Sequence, residues 1–243
     1  MRTVIALGAL ALGLGAAHAG PYCGGTSGLG EWAIPPGSKL PRHPTIALVA
    51  EDSSTFQLHG SQERRSGFSR IAATLNGEPV KLRIRDVRAS HATVRLVEVV
   101  SSTVGALHLF YPDTPDAHPF DIDYEIVENP RSPAVTATSS RFHTIKARMM
   151  TIDRDGLALT FDAPALIAHV SWRTPDAGWQ SLVVPITTRP QGRAEAWIGE
   201  TDCWPDEIPL GTLESGIDVK IMLELPDRSE QHLELGRVST KNP

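Results

Sequence analysis

Apolar residues in this chain alternate with polar ones at a period of two, and no stretch of twelve or more residues carries a helical period. That alternation restricts the fold more than any other feature. In Phe120–Val127, Ile122, Tyr124 and Ile126 fall on one side, and Asp121, Asp123 and Glu125 on the other. Successive side chains of a strand point to opposite faces, so this segment predicts a sheet with one wet side. Ile217–Leu225 repeats the pattern over nine positions, and Pro226-Asp227-Arg228-Ser229 turns it back into a C-terminal hairpin.

Further strands are expected at 45–50, 68–75, 80–85, 93–100 and 106–111, then at 144–150, 157–161, 166–172, 180–186, 194–198 and 232–235. Asn76-Gly77 predicts a hairpin turn, because both residues tolerate positive φ. Asp155-Gly156 is read as a second turn. Glu128-Asn129-Pro130-Arg131-Ser132-Pro133 breaks the pattern near the midpoint and marks a boundary. About seven strands on each side of it fit an all-β chain of two consecutive antiparallel β-sandwiches, at 45–128 and 134–243, with a linker at 129–133. Residues 20–44, rich in Gly and Pro, read as an extended arm.

The N-terminus has the form of an export signal. Met1-Arg2 precedes an apolar run to about Ala17, and Ala17-His18-Ala19 offers small residues at −3 and −1 of a cleavage site before Gly20. A signal peptide at 1–19 is therefore expected, leaving 224 of the 243 residues in a periplasmic, extracellular or cell-surface chain. A retained N-terminal anchor is the alternative, although the run is short of the roughly 20 residues that span a bilayer. No later stretch is apolar enough to span. In an oxidising compartment Cys23 and Cys203 would pair, closing a loop that the chain-entropy model values at up to about 5 kcal/mol. Two free thiols or an intermolecular bridge are the alternatives.

The formal net charge is −5, and loss of Arg2 makes it one unit more negative. Nucleic acid and polybasic membrane contacts are not expected from that balance. The basic run Lys81-Leu82-Arg83-Ile84-Arg85 with Arg88 alternates with apolar residues and reads as a solvated strand face.

Four segments of the first half share a pattern: Pro36-Gly37-Ser38-Lys39-Leu40-Pro41-Arg42-His43-Pro44-Thr45-Ile46-Ala47-Leu48, Asn76-Gly77-Glu78-Pro79-Val80, Thr93-Val94-Arg95-Leu96 and Gly105-Ala106-Leu107-His108-Leu109-Phe110-Tyr111. On these, over about residues 35–128, the chain resembles the bacterial immunoglobulin-like (Ig-like) domains of exported and cell-surface proteins. The Phe-x-Phe of an early strand in that family is missing. The second half looks Ig-like or fibronectin-like by strand spacing. The resemblance implies a spacer, adhesion or partner-binding module with no shared catalytic residues.

Chemistry-bearing motifs are sparse. Gly25-Thr26-Ser27-Gly28 is not a G-x-S-x-G elbow, and the histidines are scattered. Asp121, Asp123 and Glu125 on one strand face, and Asp153 and Asp155 in a D-x-D-G core, are the calcium candidates. Carboxylates at alternate strand positions stand about 6–7 Å apart, loose for one ion, so solvated faces and a turn explain both groups as well. Four of the five tryptophans lie in the second half. Trp172 follows Val170 and Ala168 on one strand face and suits a core. Trp179 and Trp204 are candidate platforms for a sugar or peptide.

The expected function is a non-enzymatic binding, adhesion or scaffolding protein without a required cofactor. It would meet a protein or cell-envelope partner through sandwich loops or a sheet edge. An exported hydrolase with an inter-domain site and a calcium-stabilised surface module are the alternatives.

Overall fold

The computed structural model describes residues 31–51, 71–89, 92–110, 112, 121–128, 133–146, 153–188, 193–200 and 216–239, and among them every regular element is a strand. In the first half these are β1 (Glu31–Trp32), β2 (Lys39–Leu40), β3 (Thr45–Glu51), β4 (Ala72–Leu75), β5 (Glu78–Pro79), β6 (Leu82–Arg88), β7 (Ala92–Val99), β8 (Gly105–Phe110) and β9 (Asp121–Ile126). They form two sheets, β1-β3-β7-β6 and β2-β9-β8-β4-β5. All pairs are antiparallel except β2 with β9. With the two-residue strands β2 and β5 set aside, the remaining seven in chain order stack first-second-fifth-fourth in one sheet and seventh-sixth-third in the other, which is the Ig-like order.

The second half supplies β10 (Ala137–Lys146), β11 (Asp153–Phe161), β12 (Ile167–Arg173), β13 (Gln180–Thr188), β14 (Ala194–Glu200), β15 (Ile217–Glu224) and β16 (Glu230–Val238), ordered β10-β11-β14-β13-β12-β15-β16. β13 changes partner part-way along. Gln180–Pro185 pairs with β12 and Ile186–Thr188 with β14. The change falls at Pro185, which has no N–H to give to a ladder. The strand thus ties two layers together. At the free ends of the sheet, the Gln231 side-chain amide on β16 bonds both the N–H and the C=O of Val135, the N–H at 2.7 Å. It acts there as a surrogate peptide.

Two turns follow directly from composition. Asn76 and Gly77 have φ of 55° and 84° between β4 and β5. The Asn76 side chain also accepts from Ala106 N at 3.0 Å and donates to Val104 O at 3.0 Å, locking the hairpin to the start of β8. The C-terminal hairpin closes with Arg228 N donating to Leu225 O at 2.8 Å.

Three expectations need correction. Asp155-Gly156 is not a turn. Both residues lie inside β11, paired with Thr144 and His143 on one side and with Glu200 and Gly199 on the other. A ladder on each edge overrides the local turn preference. The strand expected at 144–150 begins seven residues earlier, at Ala137. Residues 31–44 are not a bare arm either. β1 and β2 join opposite sheets of the first half, and Ala33, Ile34 and Leu40 are buried.

β3 and β7 explain how the halves meet. Residues 45–49 are all buried, as are Val94, Leu96, Val97 and Val99, so both faces of these strands are covered. Leu166 and Ile167 of the second half belong to the same apolar cluster as Ile46, Ala47, Val97 and Leu107, with Val183 packed against it. β13 lies against β1, β3 and β7. Backbone and side-chain bonds frame the contact: Thr45 N donates to Pro226 O at 2.9 Å, and Thr188 Oγ1 to Ala33 O at 2.6 Å. A separate cluster, built from Phe161, Val170, Trp172, Ile198 and Leu223 among others, fills the second half.

Candidate functional site: the cleft where the halves meet

β6 and β7 bring Arg83, Arg85 and Glu98 to one face of their sheet, since Arg83 stands opposite Glu98 in register. The second half answers with Glu224 at the end of β15 and Arg228 in the following turn. Arg85 Nη2 meets Glu224 Oε2 at 2.9 Å, and His169 Nε2 meets Glu224 Oε1 at 3.0 Å. Glu98 Oε1 is shared between Arg83 Nη1 at 3.4 Å and Arg228 Nη2. The expected solvated face of β6 is thus exposed and also engaged, because Arg83 and Arg85 reach carboxylates of neighbouring strands.

Beside these pairs opens a cleft of about 480 Å³, lined by Arg42, His43, Arg83, Glu98, Asp227 and Arg228. Arg42 and His43 enter it from the segment before β3, where Pro41 and Pro44 flank them. Arg42 pairs with Glu128. Asp227 Oδ1 is turned into its own hairpin, accepting from Ser229 N at 3.0 Å and from Ser229 Oγ at 2.5 Å. Three non-glycine residues among those described have positive φ, and His43 (52°) and Arg228 (67°) both line this cleft. A Cβ makes that conformation unfavourable for most residues.

A smaller cleft of about 230 Å³ lies at the other end of β12, lined by Arg173, Thr174, Asp218 and Arg237 among others. Trp179 stands near it, 43% exposed, with the Arg173 guanidinium 4.8 Å and the Lys220 ammonium 5.3 Å from its ring centroid. Arg173 Nε also meets Asp218 at 2.9 Å, and the ammonium of Lys220 holds the Glu234 carboxyl below the usual carboxylate range. Trp179 is therefore an exposed ring already carrying two cations.

The other residues singled out in the sequence do not converge. Asp123, 81% exposed, meets His108 Nδ1 at 2.9 Å, and Glu125 meets Lys39 at 3.7 Å. Asp121 begins β9 beside them. Asp153 and Asp155 sit on β11, opposite Lys146 and Thr144. Among the described residues no three of His, Cys, Asp or Glu gather as a metal site would require. Cys23, Cys203 and Trp204, and the signal at 1–19, lie outside the described residues. No described helix is long and apolar enough to cross a membrane.

The cleft residues escaped sequence reasoning. His43, held between two prolines, carries a faint signal of a constrained backbone. Nothing local distinguishes Glu98 or Arg228.

No protein-family profile matches the chain, and no curated protein does. Solved structures share its outline weakly. A chimeric titin Z1Z2-Z1Z2 tandem functionalised with a GRGDS peptide from fibronectin is 11% identical, with 83% of this chain and 95% of that one covered, at a TM-score of 0.21. A titin A168169 structure is 6% identical over 83% and 92%, at 0.23. The GBS pullulanase SAP in complex with maltotetraose is 8% identical over 84% of this chain and 23% of its own, at 0.25. None of these likenesses places the chain in a family.

Proposed function

We propose that the mature chain is an exported, non-enzymatic binding or scaffolding protein made of two Ig-like modules, acting in the periplasm or at the cell surface. One observation carries the reading. The first half's strands β3 and β7 are buried on both faces, with Leu166 and Ile167 of the second half in the same cluster. Modules joined in this way hold their loops and sheet edges at fixed separations, which suits presenting a surface to a partner. β6 is one such edge. Its outer side is unpaired among the described residues, and Ile84 is 41% exposed between Arg83 and Arg85. Trp179 is the second surface offered to a partner. On this reading the signal at 1–19 is removed, and Cys23 and Cys203 form the staple.

The test uses residues 20–243, immobilised and challenged with the native envelope fraction. Saturable retention of one partner, competed by the free chain and lost on an Ile84→Glu variant that still folds, supports the reading. Turnover of hydrolase substrates by the purified chain, or no retention at any load, overturns it.

A further inference from the structure

The junction cleft gathers three guanidiniums and an imidazole. Arg42, Arg83 and Arg228 converge on it with His43. Against these cations stand three carboxylates: Glu98, which is shared by two guanidiniums, Glu128, which pairs with Arg42, and Asp227, whose Oδ1 accepts from Ser229. Arg42, Arg83 and Arg228 each make one single-nitrogen ion pair: Arg42 through Nη2 to Glu128, Arg83 through Nη1 and Arg228 through Nη2 to Glu98. A guanidinium carries five N–H donors in a planar fork, matched to two oxygens of one anion. Among the described residues these single pairs leave N–H donors on each guanidinium that no other side chain takes up.

The backbone gives an independent reason. His43 and Arg228 hold left-handed conformations that glycine would adopt without strain. Both strained residues line the same cleft, and each places a cationic or cation-forming side chain there. Strain of this kind clusters at ligand clamps, where the side chain is needed.

We propose that this cleft binds a single oxyanion group, a phosphate, sulfate or carboxylate, clamped between Arg83 and Arg228 with Arg42 and His43 on its open side. The inference deepens the binding reading above and rests on it. The group takes up N–H donors that the Glu98 pairs leave on both guanidiniums, so it bridges the two halves.

Isothermal calorimetry on residues 20–243 tests this with sodium phosphate, sodium sulfate and sodium glucuronate, each against chloride at the same ionic strength. Phosphate or sulfate binding alone assigns the site to a tetrahedral anion, and glucuronate binding to a sugar-borne carboxylate. Saturable binding at about 1 mM or tighter is expected for at least one of them. Arg228→Gly suits its positive φ and preserves the turn, and it should weaken binding about tenfold or more. Arg83→Gln is the second variant should the first fail to fold, and Lys39→Gln, on β2 beside Glu125 and outside both clefts, should bind as the parent does. No saturable heat beyond chloride, or unchanged affinity in a folded Arg228→Gly or Arg83→Gln, overturns the site. A chain that captures its partner yet binds none of the three anions fails this inference alone. One that binds phosphate but captures no partner counts against the binding reading and leaves the site standing.

Discussion

Ile167 opens β12 in the second half yet is fully buried in the cluster of the first, so its truncation should weaken both. Ile167→Ala removes three side-chain carbons. At about 0.8 kcal/mol per buried CH₂ the transfer loss is about 2.4 kcal/mol. The space left in the cluster raises the cost to about 3–4 kcal/mol, because the surrounding strands relax only partly into a gap. If the halves unfold as one unit of this size, each kcal/mol lowers Tm by about 2–4 °C, so a drop of about 6–16 °C is expected in a single transition. Ile167→Val should cost only about 0.5–1.5 kcal/mol. Urea unfolding gives the energy, and hydrogen exchange by mass spectrometry locates it: peptides covering 45–51 and 92–99 should lose protection together with those of β12. A cost below about 1 kcal/mol, or loosened exchange in the second half with β3 and β7 untouched, would refute the shared cluster as the element that joins the halves.

Further outcomes follow from other parts of the molecule. Gly105→Ala should cost about 1–3 kcal/mol in urea unfolding, since φ is 140° and a Cβ would lie 1.9 Å from Asn76 Oδ1; a neutral result would remove the Asn76 lock. Trp172→Phe should cost only about 1–2 kcal/mol for the ring volume lost from the core, because among the described residues the buried Trp172 Nε1 has no acceptor to lose; a loss well above about 3 kcal/mol, the range of losing the whole ring, would count against that. The Asp86 carboxyl is held below its ordinary value of 3.8, chiefly by its hydrogen bond from Arg95. Its stabilisation should therefore be present above about pH 4 and fade as pH falls through the lowered folded value. Asp86→Asn should flatten that part of an acid titration, and an unchanged titration would count against the pair. If the proposed export holds, the exported chain should have an intact mass that begins at Gly20 and lacks two hydrogens, with thiols that react only after reduction. Free thiols in the native protein would remove the Cys23–Cys203 bridge.

Much of the fold is legible in the sequence. Ile122, Tyr124 and Ile126 are buried while Asp123 and Glu125 are exposed, as period-two alternation requires. Asn76-Gly77 makes its turn, Trp172 is in the core and Trp179 outside it. The unbroken run Thr45-Ile46-Ala47-Leu48-Val49 carried a further signal, because a strand without polar alternation is one covered on both faces. What covered it was not legible. The site was scarcely legible at all, since its residues come from segments around 42, 83, 98 and 228 and contain no motif.

Local chemistry, then, determined this protein's strands, most of its turns and its all-β class, because side-chain alternation and positive φ act over a few residues. The tertiary structure decided the rest. It placed Asp155-Gly156 inside a strand by pairing it on both edges. It also brought Arg85 to Glu224 across 139 residues and laid Ile167 on the neighbouring half's core. Contacts of that range depend on how whole sheets stack, and sheet stacking leaves no period in the chain.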